Sequence, residues 1–212
     1  DFFIKKSPYV AVKYHIQTDF PNDLIALHNF KDGYCGISKI EGDRYCLCYM
    51  TTRENLSLAG SVPQMEETVL YRNPFLKNIF TNSTFLYDKP EVINEISFDS
   101  KNSVDHNMLM SGDAAGMITP LCGNGMAMAI HSSKILSGLI TQHYKPSGFD
   151  RETLEQSYEK EWRNKFSTRL AMGRNIQQLF GREMLTDVTV KLLNAVGPLR
   201  NWVVRQTHGN EF

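Results

Sequence analysis

The run MLMSGDAAGMITPLCGNGMAMA, Met108 to Ala129, sets the frame for the rest of the sequence. It begins as a short apolar strand, Met108–Met110, that stops at Ser111-Gly112-Asp113. A strand ending in Gly-Asp presents a carboxylate just beyond its carboxyl end, where ligands bind in open sheets. After the interruption at Pro120, Gly123-Asn124-Gly125 allows a close backbone approach. The N–H groups of the helix that starts there point into the crevice, and its dipole favours negative charge. The stretch therefore offers an acceptor for sugar-like hydroxyls at Asp113 and a positive, glycine-walled end for an electron-rich group. A lone Gly-Asp turn before a helix also has a purely structural reading, because Asp is a frequent turn and capping residue. The combination at fixed spacing carries more.

That combination, Gly112-Asp113-Ala114-Ala115, then Pro120, Gly123, Gly125 and Ala129, resembles the second FAD-binding motif of the class A flavoprotein monooxygenases and the geranylgeranyl-reductase-like flavoproteins, G-D-A-A-x4-P-x2-G-x-G-x3-A. The resemblance implies that Asp113 binds the ribityl hydroxyls of FAD, with Gly112 before it in the cofactor site, and that Pro120 sits beside the isoalloxazine. It implies further that the backbone of Gly123, Asn124, Gly125 and Met126 borders the ring, with the N–H groups of Gly125 and Met126 reaching its pyrimidine edge. Reduced flavin is anionic there, and a helix N-terminus stabilises that charge. NAD(P)H is the reductant that such an enzyme would use.

The same superfamily opens with a strand and G-x-G-x-x-G, which holds the ADP half of the cofactor. The present sequence has no such run; Gly123-Asn124-Gly125 comes nearest, with Met128 at the third position. The expectation is that these 212 residues are the carboxyl-terminal part of a longer flavoprotein. The alternative is a split gene or a relative that no longer binds FAD.

Composition excludes several other functions. With 23 basic and 23 acidic residues the formal net charge is zero, so electrostatics give no case for nucleic acid or an anionic membrane surface. No apolar run approaches spanning length, and no signal peptide opens the sequence. The four cysteines fit no zinc spacing and the histidines are scattered, so no metal site is expected and a cytoplasmic setting is. Cys122 abuts the glycine loop and reads either as a redox thiol or as a packed loop cysteine.

Before this motif the pattern is antiparallel sheet. Tyr9–Thr18, Leu24–Phe30, Tyr34–Ile40 and Arg44–Met50 read as four strands of a meander, with Glu41-Gly42-Asp43 as a hairpin signal. If Gly42-Asp43 is a two-residue turn, Tyr34, Gly36, Ser38, Ile40, Tyr45, Leu47 and Tyr49 share one face. Cys35, Ile37, Cys46 and Cys48 then share the other. The first face, with its gap at Gly36, could roof a substrate pocket, which makes Tyr34, Gly36 and Tyr49 the substrate candidates; alternatively these aromatics pack on a helix. Geranylgeranyl reductases carry Tyr-x-Trp-x-Phe-Pro in this region and flavin halogenases Trp-x-Trp-x-Ile-Pro. Tyr34-Cys35-Gly36-Ile37-Ser38-Lys39 keeps only the Tyr, which argues against an isoprenoid substrate and against halogenation.

Arg53–Phe80 reads as helical, with Met65 and Val69 on one face, a restart at Asn73-Pro74, and Phe75 with Ile79 continuing the apolar stripe. Phe85–Phe98 returns to strands. A helix follows from Gly125 to His143. Asp150 caps a long one whose Leu154, Tyr158, Trp162, Phe166 and Leu170 recur at i+4 and read as core, and which ends at Gly181. Further helices begin at Thr186 and carry Trp202.

The fold class is therefore α+β. It comprises a mainly antiparallel-sheet substrate domain over residues 1–98 and a strand-loop-helix with the Gly-Asp FAD motif over 99–144, the carboxyl-terminal part of an FAD-binding α/β fold. Carboxyl-terminal helices occupy 145–212. The function expected is an FAD-dependent oxidoreductase, a monooxygenase or reductase of a small hydrophobic or aromatic substrate held between the sheet and the flavin. The alternatives are a non-catalytic module that binds a hydrophobic ligand and one that docks a partner through its helical tail.

Overall fold

The computed structural model describes residues 7–146, 148–179 and 183–208. The chain divides into two compact units, Asp1–Ser97 with Leu179–Val188, and Phe98–Gln178 with Thr189–Phe212.

In the first unit, β1 (Tyr9–Gln17), β2 (Ala26–Phe30), β3 (Gly33–Lys39) and β4 (Tyr45–Thr52) precede three helices, α1 (Arg53–Ala59), α2 (Val62–Thr68) and α3 (Pro74–Asn82). Two further strands, β5 (Thr84–Phe85) and β6 (Glu91–Ile96), complete an antiparallel sheet of order β2-β3-β4-β1-β5, with β6 also on β1. The strands are where alternation placed them, but they do not form a meander: β1 lies against β4, not β2. The reason is the connection over residues 18–25, too long for a tight hairpin. It is held elsewhere, by the Tyr45 hydroxyl donating to the Phe20 carbonyl (2.5 Å) and the Asn22 side chain (2.7 Å).

The β3–β4 hairpin corrects a second expectation. Ile40 N–H donates to the Arg44 carbonyl, so Glu41-Gly42-Asp43 is a three-residue loop with Gly42 in the left-handed region (φ 66°). The register pairs Cys35 with Tyr49, Ile37 with Leu47, and Gly36 with Cys48. A one-residue slip moves every side chain to the other face. Tyr49 therefore shares a face with Cys35, Ile37, Leu47 and Tyr45, whereas Tyr34 and Gly36 share the opposite face with Met50, Cys48 and Cys46.

The Tyr49 face is the core face. Val12, Ile16, Ile37, Leu47 and Tyr49 pack with Met65, Leu70, Leu76, Ile79 and Phe80 from the helical segment. Asn73 accepts from the Phe75 and Leu76 N–H groups with Pro74 in the first turn of α3, so the restart falls where expected. The further break between α1 and α2, at Gly60 in the left-handed conformation (φ 82°), does not follow from the expected continuous helical stretch. Phe75 does not continue the stripe: it is 68% exposed, and Leu76 takes the core position.

In the second unit, β7 (Val104–Asp105) and β8 (Met108–Leu109) form a minimal hairpin whose turn residues His106 and Asn107 both have positive φ. The strand before Gly-Asp is thus two residues long and pairs antiparallel; no parallel pair occurs among the described residues. α4 (Gly125–His143) follows, then a second small hairpin, β9 (Tyr144–Lys145) with β10 (Gly148–Phe149), and α5 (Arg151–Leu179). Asp150 caps α5 by accepting from Thr153 N–H and hydroxyl. Tyr158, Trp162 and Phe166 form the core with Ala115, Ile118 and Met128. Gly181, the expected end of that pattern, lies outside the described residues. α6 (Glu183–Ala195), whose residues up to Val188 belong to the first unit, and α7 (Gly197–His208) follow. No helix among the described residues is long and apolar enough to cross a membrane.

Candidate functional site

The spacing of the glycine-rich motif has a packing cause. Gly112 is left-handed (φ 60°), and a Cβ built on it would sit 3.1 Å from the Cβ of Ala129 on α4. Two small residues seventeen positions apart thus let the Gly-Asp turn lie on the helix. Ser132 fixes it there, its hydroxyl accepting from Gly112 N–H (3.1 Å) and lying 2.8 Å from that of Ser111. Behind the turn, a Cβ on Gly116 would meet Leu170 Cδ1 at 2.9 Å, so the loop rests directly on α5. The Thr119 hydroxyl donates to the Gly173 carbonyl of α5 (3.3 Å), which anchors the segment before Pro120. Pro120 itself is exposed.

Three features of this loop face outward. The Asp113 carboxylate is exposed and makes no hydrogen bond or ion pair among the described residues; only its backbone carbonyl is engaged, by Lys101 Nζ at 3.3 Å. Gly123 is left-handed (φ 63°) with nothing within 4 Å of an added Cβ, and a Cβ on Gly125 would meet Asp113 Oδ1 at 4.0 Å. The carboxylate therefore lies beside the start of α4, with open space around Gly123. Finally, α4 has no side-chain cap. Asn is among the best capping residues, yet the Asn124 amide donates instead to the carbonyls of Thr207 (2.9 Å) and His208 (3.2 Å) at the end of α7. The first N–H groups of α4, which have no acceptor inside the helix, are left for another partner. Met126 next to them is 83% exposed.

These residues fit an FAD headpiece: a free carboxylate for ribityl hydroxyls, a glycine wall without side chains, and backbone donors at a helix N-terminus. Gly112, Asp113, Pro120, Gly123, Asn124, Gly125 and Met126 all belong to this one loop and helix start. Asn124 is committed through its side chain to α7. Cys122 is a packed cysteine, 8% exposed, with its sulfur 3.4 Å from the Thr119 hydroxyl; burial pushes its thiol up, away from the thiolate that redox chemistry uses. Among the described residues no His, Cys, Asp or Glu groups come together as a metal site.

The substrate candidates are not brought together. Tyr49 is fully buried and donates to Glu66 Oε1 at 2.7 Å, as does Tyr14. It belongs to the core of the first unit, not to a pocket wall. Tyr34 and Gly36 lie on the other face, where Leu27 Cδ2 stands 3.3 Å from an added Gly36 Cβ and narrows the expected gap. The sequence reading missed Lys101, Ser132 and the α7 carbonyls; each reaches the loop from a distant stretch that carries no local signal. It also missed Glu66, whose partners come from β1 and β4.

No family model matches the sequence. Conditioned medium factor receptor 1 of Dictyostelium discoideum is 28% identical over 110 residues, 50% of this chain and 21% of that protein. Solved structures match along nearly the whole chain. The flavin-dependent brominase Bmp2 aligns with a TM-score of 0.72 at 17% identity over 95% of this chain and 50% of that one. HpxO of Klebsiella pneumoniae, solved with FAD and uric acid, gives 0.63 at 16% over 94% and 52%. PqsL of Pseudomonas aeruginosa, a probable FAD-dependent monooxygenase, gives 0.59 at 13% over 88% and 52%. The chain spans about half the length of these structures and about a fifth of the curated relative. It has the fold of a part of such flavin-dependent monooxygenases and halogenases.

Proposed function

We propose that this chain is the part of an FAD-dependent oxidoreductase that holds the ribityl and isoalloxazine end of the cofactor. The observation that carries the reading is the uncapped start of α4 beside an unpartnered carboxylate, with Asn124 drawn away to α7. Asp113 accepts from the ribityl hydroxyls, Pro120 borders the ring, and the N–H groups of Gly125 and Met126 donate to its pyrimidine edge. Gly123 and Gly125 keep that edge clear of side chains. When bound, FAD supplies hydride or electron transfer; the α4 dipole stabilises negative charge at that edge. The substrate in this reading is a small hydrophobic or aromatic molecule, and NAD(P)H is the reductant.

Flavin titration of the chain and of Asp113→Ala tests the proposal. The variant loses charge-assisted hydrogen bonds and binds flavin about ten- to hundredfold more weakly. Its melting temperature stays as it was, because the side chain is exposed and unbonded. Equal flavin affinity in the two proteins defeats the reading.

A second reading, a partner-docking module built on the same fold, is favoured by apolar side chains left exposed on the last two helices: Val188 at 58%, Leu192 at 50% and Trp202 at 51%. A chain that binds no flavin and elutes as an oligomer in size-exclusion chromatography would support it.

A further inference from the structure

α5 presents a second concavity, apart from the glycine-rich loop. Glu159, Arg163, Ser167, Leu170 and Arg174 recur at three- and four-residue intervals along one stripe of the helix. They line an open cavity of about 170 Å³ together with residues 100–103. Its lining carries Lys101, Arg163 and Arg174 against the carboxylate of Glu159, which pairs with Arg163 at 2.9 Å. Arg174 has no hydrogen bond or ion pair among the described residues. On the facing segment Ser103 is 2% exposed, and its hydroxyl has no hydrogen-bond partner among the described residues. Trp162, 6% exposed, adds an apolar wall.

A buried hydroxyl without a partner costs free energy, and the cost is removed when a ligand atom meets it. Cations in a concave site with a low-dielectric wall concentrate a positive field. Two guanidinium groups, an ammonium and a hydroxyl around one opening match a group with several oxygens that accept from different directions. Arginine meets two such oxygens at once. A carboxylate ligand has only two oxygens, in one plane, and would leave part of this donor set unused.

We propose that this cavity is a binding site for the phosphoryl group of a small ligand, held by Arg174, Lys101 and Arg163 and met at its buried end by the Ser103 hydroxyl. The proposal is distinct from the flavin reading, since it uses none of the glycine-loop donors, although Lys101 Nζ also reaches the Asp113 carbonyl.

Calorimetric titration of the chain with inorganic pyrophosphate in low salt tests it, with orthophosphate, glycerol phosphate and citrate as parallel probes. Pyrophosphate is expected to bind saturably at one site, and glycerol phosphate too if the ligand is an ester and not a free phosphate. Arg174→Gln weakens binding about tenfold, the loss of one charge-assisted contact. Ser103→Ala weakens it several-fold without lowering the melting temperature, because no intramolecular bond is lost; this variant keeps the test valid should the helix substitution disturb folding. Absence of saturable heat with any phosphoryl probe overturns the proposal. So does undiminished binding in both variants, or citrate binding as tightly as pyrophosphate.

Discussion

Glu66 and Asp113 carry the same group into opposite surroundings. Asp113 sits exposed at the lip of the loop, and neighbours in sequence placed it there, which is why it was legible from the motif. Glu66 is 7% exposed and holds the Tyr49 and Tyr14 hydroxyls on one oxygen, a constellation assembled from β1, β4 and α2 that no local spacing announces. Burial pushes its carboxyl above the ordinary value of 4.5, against the pull of the two hydroxyls. A raised folded-state value means that the contribution of Glu66 to stability is full below about 4.5 and is lost as the pH rises through the folded value. Glu66→Gln keeps an acceptor for both hydroxyls without the charge. In thermal melts from pH 4 to 8 the wild type should therefore lose ground to Glu66→Gln as the pH rises; ground gained would reverse the assignment. Tyr49→Phe removes one hydrogen bond to the buried acid and costs about 1.5–3 kcal/mol in denaturant unfolding.

Elements were legible where their signals are local. The caps at Asn73 and Asp150, the α4 boundaries and the α5 stripe follow from residues within a turn or two of each other. Register was not, because one residue of loop length separates the two parities of the β3–β4 hairpin, and Gly42-Asp43 fits either. Strand order failed for the same reason: a long connection over residues 18–25 leaves the neighbour of β1 to tertiary packing. The tie between α4 and α7 belongs to this scale too, with Asn124 bonding carbonyls more than eighty positions away. Asn124→Ala leaves both carbonyls without their donor. The expected result is faster amide exchange confined to α7, an opening eased by about 1–2 kcal/mol, with α5 unchanged. Uniform loss of protection in α5 as well would mean that the bond supports the whole unit.

At the scale of the molecule, the chain matches half the length of its structural neighbours and contains no G-x-G-x-x-G. In the proposed reading, the donors and acceptors at the glycine loop serve the ribityl chain and the ring, and none of them is assigned to the adenosine. FMN and FAD share the isoalloxazine and ribityl chain, so this chain should bind both with Kd values within about threefold of each other, below 1 kcal/mol of discrimination. Its affinity for FAD should also be modest, because the adenosine and the second phosphate add size without added contacts. Fluorescence quenching titrations of the two flavins provide the measurement. A preference for FAD of tenfold or more would show that adenosine is held by residues of this chain, and would move the cofactor off the geometry drawn from Asp113 and the start of α4.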